Sequence, residues 1–407
     1  PRSIWLFAKA DWKTLTEALS RYDWSWISSM PTDLAAQRFH DTLLGFFRRF
    51  IPSKIIYSSS SSHPWLNEVC LNLINAKREA WGTPLQQEVS LQCSRGILEQ
   101  YFLHVETVKG KLRELKRGSK AWWKMSKQLM MSATSHCSIP SLRHSDGKSW
   151  ARTPKEKADL LSETFRGKWV LPDGVVNDYS VIPELPSPPD TWVPIRARQA
   201  QKFLSTLNES SATGPDGISS RVLRKLAPVL ALPFALLARS IVSNGVWPII
   251  WKLHWICAMH KKKSLFDPNN YRGLQLTAQI SKAMERFLAF LFLPDLIGVE
   301  AYGRDQFAYR PQHGARDVII FLVLTWLSIL ASGMRIGLYC SDVQGAFDRV
   351  AISRLVSRLK ACGTHPKFLH VVESWLQPRN ASVVVGGTES DVFQMSNMVY
   401  QGTVLGP

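Results

Sequence analysis

Residues 334–350, MRIGLYCSDVQGAFDRV, narrow the possible folds more than any other stretch of this chain. The preceding residues 315–332 are apolar at helical spacing, whereas MRIGLYCSDV is a compact apolar run closed by an acid, Asp342. That change of period predicts a buried strand inside a largely helical chain, an α+β arrangement. An aspartate at the C-terminal end of such a strand places a carboxylate at the sheet edge, where a hard cation binds through oxygen ligands. One aspartate does not complete a metal site, and an isolated acid after a strand is more often a solvated strand end.

The remaining pattern is mostly helical. Residues 31–50 carry apolar side chains at helical spacing, the serines 58–62 mark a loop, and a second helix starts near Trp65 and stops at Gly82-Thr83-Pro84. A further helix resumes near Gln86. A short hairpin is predicted around Ser145, Asp146 and Gly147, followed by a helix with Thr153 as N-cap, Pro154 in its first turn and Glu156 at capping-box spacing. Residues 171–192, rich in proline, read as a linker or long loop. Helix returns over 196–240, broken by SATGPDGISS, and again over 276–299 and 350–363, where Gly363 marks a C-terminus. SVVVGGTES, 382–390, reads as a strand and turn.

Apolar runs at 226–238, 287–299 and 318–331 are shorter than the roughly 20 residues that a spanning helix needs, so buried helices are expected and no membrane span. The opening residues do not read as a secretory leader, and the missing initiator methionine and the ending QGTVLGP lead us to expect a segment cut from a longer protein. The six cysteines form no C-x-x-C pair and the ten histidines no H-E-x-x-H, which argues against thiolate or histidine metal clusters and for a reducing, intracellular compartment. A formal charge of +18 favours a polyanionic partner, nucleic acid or an anionic surface. Between residues 109 and 127 eight lysines and arginines face one acid, with Trp122 and Trp123 among them. Such a patch can meet phosphates while an indole stacks on a base, or the tryptophans can pack inward beneath a solvated face.

The motif D-x-x-x-A-F-D-x-V at Asp342, Ala346, Phe347, Asp348 and Val350 resembles the first catalytic motif of reverse transcriptases of the non-LTR (LINE-like) retrotransposon type. Four further elements fall in that family's order. They are Gly214-Pro215-Asp216-Gly217; Lys261, Lys262 and Lys263 before Asn270-Tyr271-Arg272; Lys282-x-x-Glu285-Arg286 with Gln306-Phe307-Ala308-Tyr309-Arg310; and Gln401-Gly402-x-x-Leu405-x-Pro407. The resemblance covers 205–407. Pro64-Trp65-Leu66, Ala80-Trp81, 138–147 and 155–165 look like the segment that joins an endonuclease to the polymerase in these elements. Gly273 stands where the family usually has proline, and Met398 and Tyr400 where it has glycine and proline.

The resemblance implies a right-hand polymerase fold: a helical region over 1–135, a hairpin, helix and loop over 136–192, helical fingers and the start of a palm over 193–332, and a partial antiparallel palm over 333–407. It implies that Asp342 is catalytic and a metal ligand together with the Val343 carbonyl, for magnesium or alternatively manganese. Lys262 and Arg272 would hold the triphosphate, Phe347 would lie beneath the incoming sugar, and Gln401 and Gly402 would touch the nucleotide and the template base. Lys282, Arg286, Gln306 and Arg310 would serve the template strand and palm packing, and Asp348 would support local structure. The implied partners are an RNA template, a DNA primer or target, and deoxynucleoside triphosphates, in nucleus and cytoplasm. Residues 1–407 contain no aromatic-x-Asp-Asp motif, so the two-metal site is expected to be incomplete here. The rival expectation is a non-catalytic RNA-binding relic of a decayed element.

Overall fold

The protein is described here by a computed structural model covering residues 2–56, 65–80, 83–119, 121–123, 125, 126, 139–146, 149–169, 193–298, 305–310, 312–343, 345–396 and 398–406. The chain divides into two compact units. The first takes in residues 1–4 and 54–139, the second 5–53 and 140–407.

Strand β1 (Arg2–Trp5) pairs with β2 (Ser53–Ile56), all but Trp5 and Ser53 belonging to the first unit. The second unit contributes α1 (Trp12–Arg21), capped by Asp11 through Thr14 N–H at 3.1 Å, and α2 (Thr32–Phe50). Back in the first unit, α3 (Glu68–Glu79) and α4 (Gln86–Glu114) form an antiparallel pair. The Asn67 amide donates to Gln100 at 2.7 Å, and Gly96 faces Leu73 so closely that a side chain there would collide. The loop serines 58–62, Trp81, Gly82 and Gly147, and the loop 171–192, lie outside the described residues.

The second unit follows its local signals closely. Strands β3 (Leu142–Arg143) and β4 (Trp150–Ala151) make the expected hairpin. Helix α5 (Pro154–Lys168) starts on the expected capping box: Thr153 Oγ1 accepts from Glu156 N–H and the Glu156 carboxylate accepts from Thr153 N–H, both at 3.2 Å. Helix α6 (Ala197–Ser205) precedes the GPDG break, and α7 (Ser220–Lys225) and α8 (Ala227–Asn244) follow it, as anticipated. By length and composition α8 is apolar enough to cross a membrane. Its residues from Ala227 to Val242 are instead largely buried, against α6 and α2 among others, where Thr32 shares a 2.8 Å hydroxyl contact with Ser240 and accepts from the Asn244 amide at 2.8 Å. Gly245 closes α8 at φ +63°, a conformation that favours glycine, and its bare Cα abuts His370.

A mixed sheet lies at the centre. Strand β5 (Leu253–His260) pairs antiparallel with β6 (Tyr271–Leu276) and parallel with β7 (Arg379–Val385), which in turn carries β8 (Thr388–Glu389) and β9 (Phe393–Met395) antiparallel. Gly386 and Gly387, both at positive φ, make the β7–β8 turn. Helices α9 (Gln279–Gly298), α10 (Ala315–Ala331), α11 (Ile352–Ala361) and α12 (Pro366–Leu376) complete the unit, and Gly363 at φ +75° ends α11 as the sequence indicates.

Two expectations fail. Residues 334–343 are not a strand, and they are almost entirely solvent-exposed. A strand needs a neighbour for its backbone groups, and among the described residues nothing pairs with this run. Helix α10 forms where expected, but it is not buried: Ile319, Ile320, Phe321, Leu324, Leu327 and Leu330 are each more than half exposed. Its apolar composition announces a helix that would be covered on all sides; no described element covers it.

The GPDG turn has a defined task in this unit. Gly214 packs its bare Cα onto the Thr277 carbonyl, and Asp216 Oδ2 accepts from Gln279 N–H at 2.8 Å, tying the turn to the start of α9. Burial pushes the Asp216 carboxyl up to about 7, against the pull of the backbone N–H groups. A folded-state value raised above the ordinary 3.8 adds stability that is fully present below that pH and lost as pH rises through about 7. Thermal melts of the wild-type chain are therefore expected to fall between pH 5 and pH 8 more steeply than those of D216N, which keeps an acceptor and cannot ionise. Parallel curves would show that Asp216 ionises freely in the folded state.

Candidate nucleotide and nucleic-acid site

The β5–β6 hairpin carries the basic turn. Asp267 caps Asn269 N–H at 2.9 Å, Asn270 donates to the Ser264 carbonyl at 2.9 Å, and the Tyr271 hydroxyl donates to the Leu265 carbonyl at 2.7 Å. These local bonds leave Lys261, Lys262, Lys263 and Arg272 exposed on a fixed turn. Planar guanidinium and mobile ammonium groups held this way suit phosphate oxygens.

The first acidic motif and the QG motif meet beside this hairpin. Gln401 Nε2 donates to Asp348 Oδ1 at 2.9 Å, and Val399 N–H donates to the Phe347 carbonyl at 2.8 Å. Burial raises the Asp348 carboxyl, while a hydrogen bond from Trp169 and the charges of Lys168, Arg272 and Arg349 lower it. Phe347 is half-buried and stands edge-on to Tyr309, with ring centres 6.3 Å apart. Gly402 takes φ +91°, and a Cβ there would lie 2.6 Å from the Gln275 carbonyl of β6. Glycine is required by this close approach to β6, which the sequence did not indicate.

Beneath the QG loop lies a polar core that sequence reasoning missed. Arg379 is fully buried; its Nη1 donates to His254 Nε2 at 2.9 Å, its Nη2 donates to the Trp375 carbonyl at 2.7 Å, and its guanidinium lies 4.2 Å from the Tyr400 ring centre. His254 Nδ1 meets Gln275 Oε1 at 3.0 Å, which assigns the proton to Nδ1. Burial, and then Arg379, hold His254 well below its usual range, so it is neutral. The Tyr400 hydroxyl donates to the Gln377 carbonyl at 2.8 Å, and burial pushes the phenol up to about 12.

Glu285, of the K-x-x-E-R helix, is also fully buried. Its Oε1 accepts from Ser281 at 3.0 Å and its Oε2 from Val404 N–H at 2.7 Å and Leu405 N–H at 3.3 Å. The side chains flanking it in the motif behave differently: Arg286 is exposed, and Lys282 is half-buried with its ammonium drawn below the usual range by burial. The signal for Glu285 was available in the motif itself, because an acid on the apolar face of a helix needs buried donors. His254 and Arg379 carried no such local signal.

The remaining expected residues differ in their surroundings. Asp342 and Val343 are exposed on the irregular stretch after α10, and among the described residues no group of three His, Cys, Asp or Glu side chains could hold a metal ion. Gln306 is exposed and donates to the Ala308 carbonyl at 3.0 Å, and Arg310 is half-buried. Trp122 and Trp123, edge to face at 4.9 Å, belong to the first unit, with Trp123 the more exposed.

The departures at 273, 398 and 400 are packed rather than frayed. A Cβ on Gly273 would lie 2.9 Å from Ile256 and 3.4 Å from the Phe165 ring, and Met398 and Tyr400 are fully buried.

Residues 259–407 match the family described as reverse transcriptase (RNA-dependent DNA polymerase). The chain is 28% identical over 300 residues to the RNA-directed DNA polymerase from mobile element jockey of Drosophila melanogaster, covering 70% of this chain and 31% of that protein. The corresponding protein of Drosophila funebris is 27% identical over 294 residues, with the same two shares. The probable RNA-directed DNA polymerase from transposon BS of Drosophila melanogaster is 28% identical over 215 residues, 53% of this chain and 24% of that protein. The matched stretch thus spans less than a third of these relatives.

The buried carboxylate generates a test. E285A removes the acceptor of two backbone N–H groups and leaves Arg379 without its nearby counter-charge, a loss of about 3 kcal/mol. Urea unfolding is expected to shift accordingly, with hydrogen exchange rising first at residues 403–405. A near-wild-type midpoint would show that the loop is held without Glu285.

Proposed function

With residues 259–407 a reverse transcriptase domain of the non-LTR retrotransposon type, we propose that the chain is the fingers and early palm of an RNA-directed DNA polymerase. That polymerase, as a whole, extends a DNA primer on an RNA template with deoxynucleoside triphosphates. The observation that carries this reading is the Gln401–Asp348 hydrogen bond, which joins the QG motif to the first acidic motif close to Arg272.

The basic turn, through Arg272 and Lys262, holds the triphosphate. Phe347, set by its own carbonyl against Val399 and by Tyr309, borders the sugar. Gln401 and Gly402 face the nascent base pair, with Gly402 seated against β6, where only a bare Cα fits. Lys282, Arg286, Gln306, Arg310 and the Trp122–Trp123 patch are assigned to the nucleic-acid strands. The Asp342 carboxylate and the Val343 carbonyl are hard oxygen donors of the kind magnesium or manganese takes, and they would hold it with phosphate and water completing the shell. When bound, that ion supplies charge neutralisation and lowers the pKa of the attacking hydroxyl. One carboxylate is short of a two-metal site, and residues 1–407 contain no Asp-Asp pair, so this chain binds without polymerising. Action in the nucleus after passage through the cytoplasm completes the reading.

The packing at Gly273, Met398 and Tyr400 favours an intact scaffold over a decayed one. On this reading the chain binds primed RNA with an affinity that falls by orders of magnitude between about 50 and 200 mM salt, through counterion release. No primer extension is expected. Salt-independent binding in a filter assay, or extension of the primer by the purified chain, would reject it.

The side chains separate in a second experiment, on a form that also carries the second acidic motif. D342N is expected to lower primer extension by orders of magnitude with its melting temperature unchanged. F347V is expected to keep dNTP extension and to admit rNTPs. Near-normal turnover in D342N rejects the metal role; a folded, active F347V that still refuses rNTPs rejects the gate.

A further inference from the structure

Helix α5 lies outside the segment matched by the reverse transcriptase family, yet its C-terminal end reaches three parts of the candidate site. The Phe165 ring covers Gly273 on β6, in the space a larger residue at 273 would need. Lys168 Nζ donates to the Asn269 carbonyl at 2.9 Å and to the Tyr271 carbonyl at 3.2 Å, gripping the turn immediately before Arg272. The Lys168 carbonyl accepts from Arg349 Nε at 3.2 Å, and the Trp169 indole lies close enough to Asp348, the acceptor of Gln401, to help lower its carboxyl. Trp169 is itself wedged between Phe165 and Phe393, with ring centres 5.8 and 6.0 Å away.

Lys168 spends two of its three N–H donors here on backbone carbonyls at a half-buried position, although a surface lysine gains more by staying hydrated. An ammonium that bridges two carbonyls on either side of one residue fixes the backbone between them. The bond from Arg349 fixes the acidic motif to the same helix end, where the Trp169 indole stands beside Asp348. The two motifs are thereby held at a set separation by a helix that belongs to neither.

We propose that Lys168, supported by Trp169, is a positioning residue for the nucleotide site: it sets Arg272 and Asp348 relative to each other and does not itself touch substrate. The role rests on the reading of Arg272 as a triphosphate ligand. It also explains why glycine at 273 goes with an aromatic ring at 165, since the helix sits down onto the strand only where the strand has no side chain.

The test uses the 407-residue chain with K168M, K168R, W169F and R272A. Hydrogen exchange is read without nucleotide, and affinity for dTTP with magnesium is read by calorimetry. K168M is expected to speed exchange at residues 269–272 by about tenfold, with a melting temperature close to wild type, because local opening is released without loss of the core. K168R, which can also donate to two carbonyls, is expected to restore slow exchange. W169F keeps an aromatic ring between Phe165 and Phe393, removes the indole N–H, and is expected to speed exchange at 347–349. Where wild type binds dTTP and R272A does not, K168M is expected to bind about tenfold more weakly and K168R near normally. Wild-type exchange at 269–272 in K168M, or full dTTP affinity in K168M beside a weakened R272A, overturns the positioning role. Equal dTTP affinity in wild type and R272A overturns the nucleotide-site reading instead, and the exchange data then decide Lys168 alone.

Discussion

Arg379 is a guanidinium with no exposure to water, and the arrangement of the second unit depends on how its charge is satisfied. A buried cation costs several kcal/mol unless it is paired and hydrogen-bonded. Here the neutral His254 accepts from one nitrogen, the Trp375 carbonyl accepts from another, the Trp375 and Tyr400 rings present their faces, and Glu285 supplies the counter-charge nearby. These partners come from β5, α12, the QG segment and α9. Removing any one of them leaves the others wrongly placed, so the network specifies a single relative arrangement of four segments distant in sequence. The QG loop is fastened twice to it, by the Tyr400 hydroxyl below and by Glu285 on its backbone N–H groups.

Signals within one turn of chain were legible. Thr153, Pro154 and Glu156 announce the start of α5 because the capping box closes over four residues, and Gly363 announces the end of α11 because only its own φ is at stake. The family motifs point to segments that the structure brings together around Asp348 and Gln401, but not to how those segments are held. Glu285 sat unread between Lys282 and Arg286, although it alone of the three is fully buried. Lys168, His254 and Arg379 have partners between 4 and 181 residues away, and no local pattern encodes those pairings. The run 334–343 and helix α10 show the converse failure. Composition correctly reports apolar segments, but burial and strand formation belong to a neighbour, and local sequence does not contain the neighbour.

The three positions that depart from the family pattern show how substitution is absorbed. At 273 the loss of a ring on the strand is matched by a ring from the helix above it. At 400 a phenol replaces a rigid residue, and two hydrogen bonds to the end of α12 take over the task of restraining the backbone. Met398, fully buried, fills space where a glycine would leave a void. In each case the shape changes and the constraint is kept.

The parallel pairing of β5 with β7 carries a cost in time. Leu253 finds its partner in Asn380, more than 120 residues later. At a synthesis rate of about 5–20 residues per second, β5 waits on the order of ten seconds with only β6 beside it. During that interval its second edge, with Trp255, Ile256 and Cys257, offers open backbone groups to any other extended chain. Loop closure over such a distance is slow even once β7 is available. The nascent polypeptide is thus most vulnerable to mispairing between the emergence of the basic hairpin and that of the strand that seals it, which makes chaperone protection of this interval a condition for a good yield of folded protein.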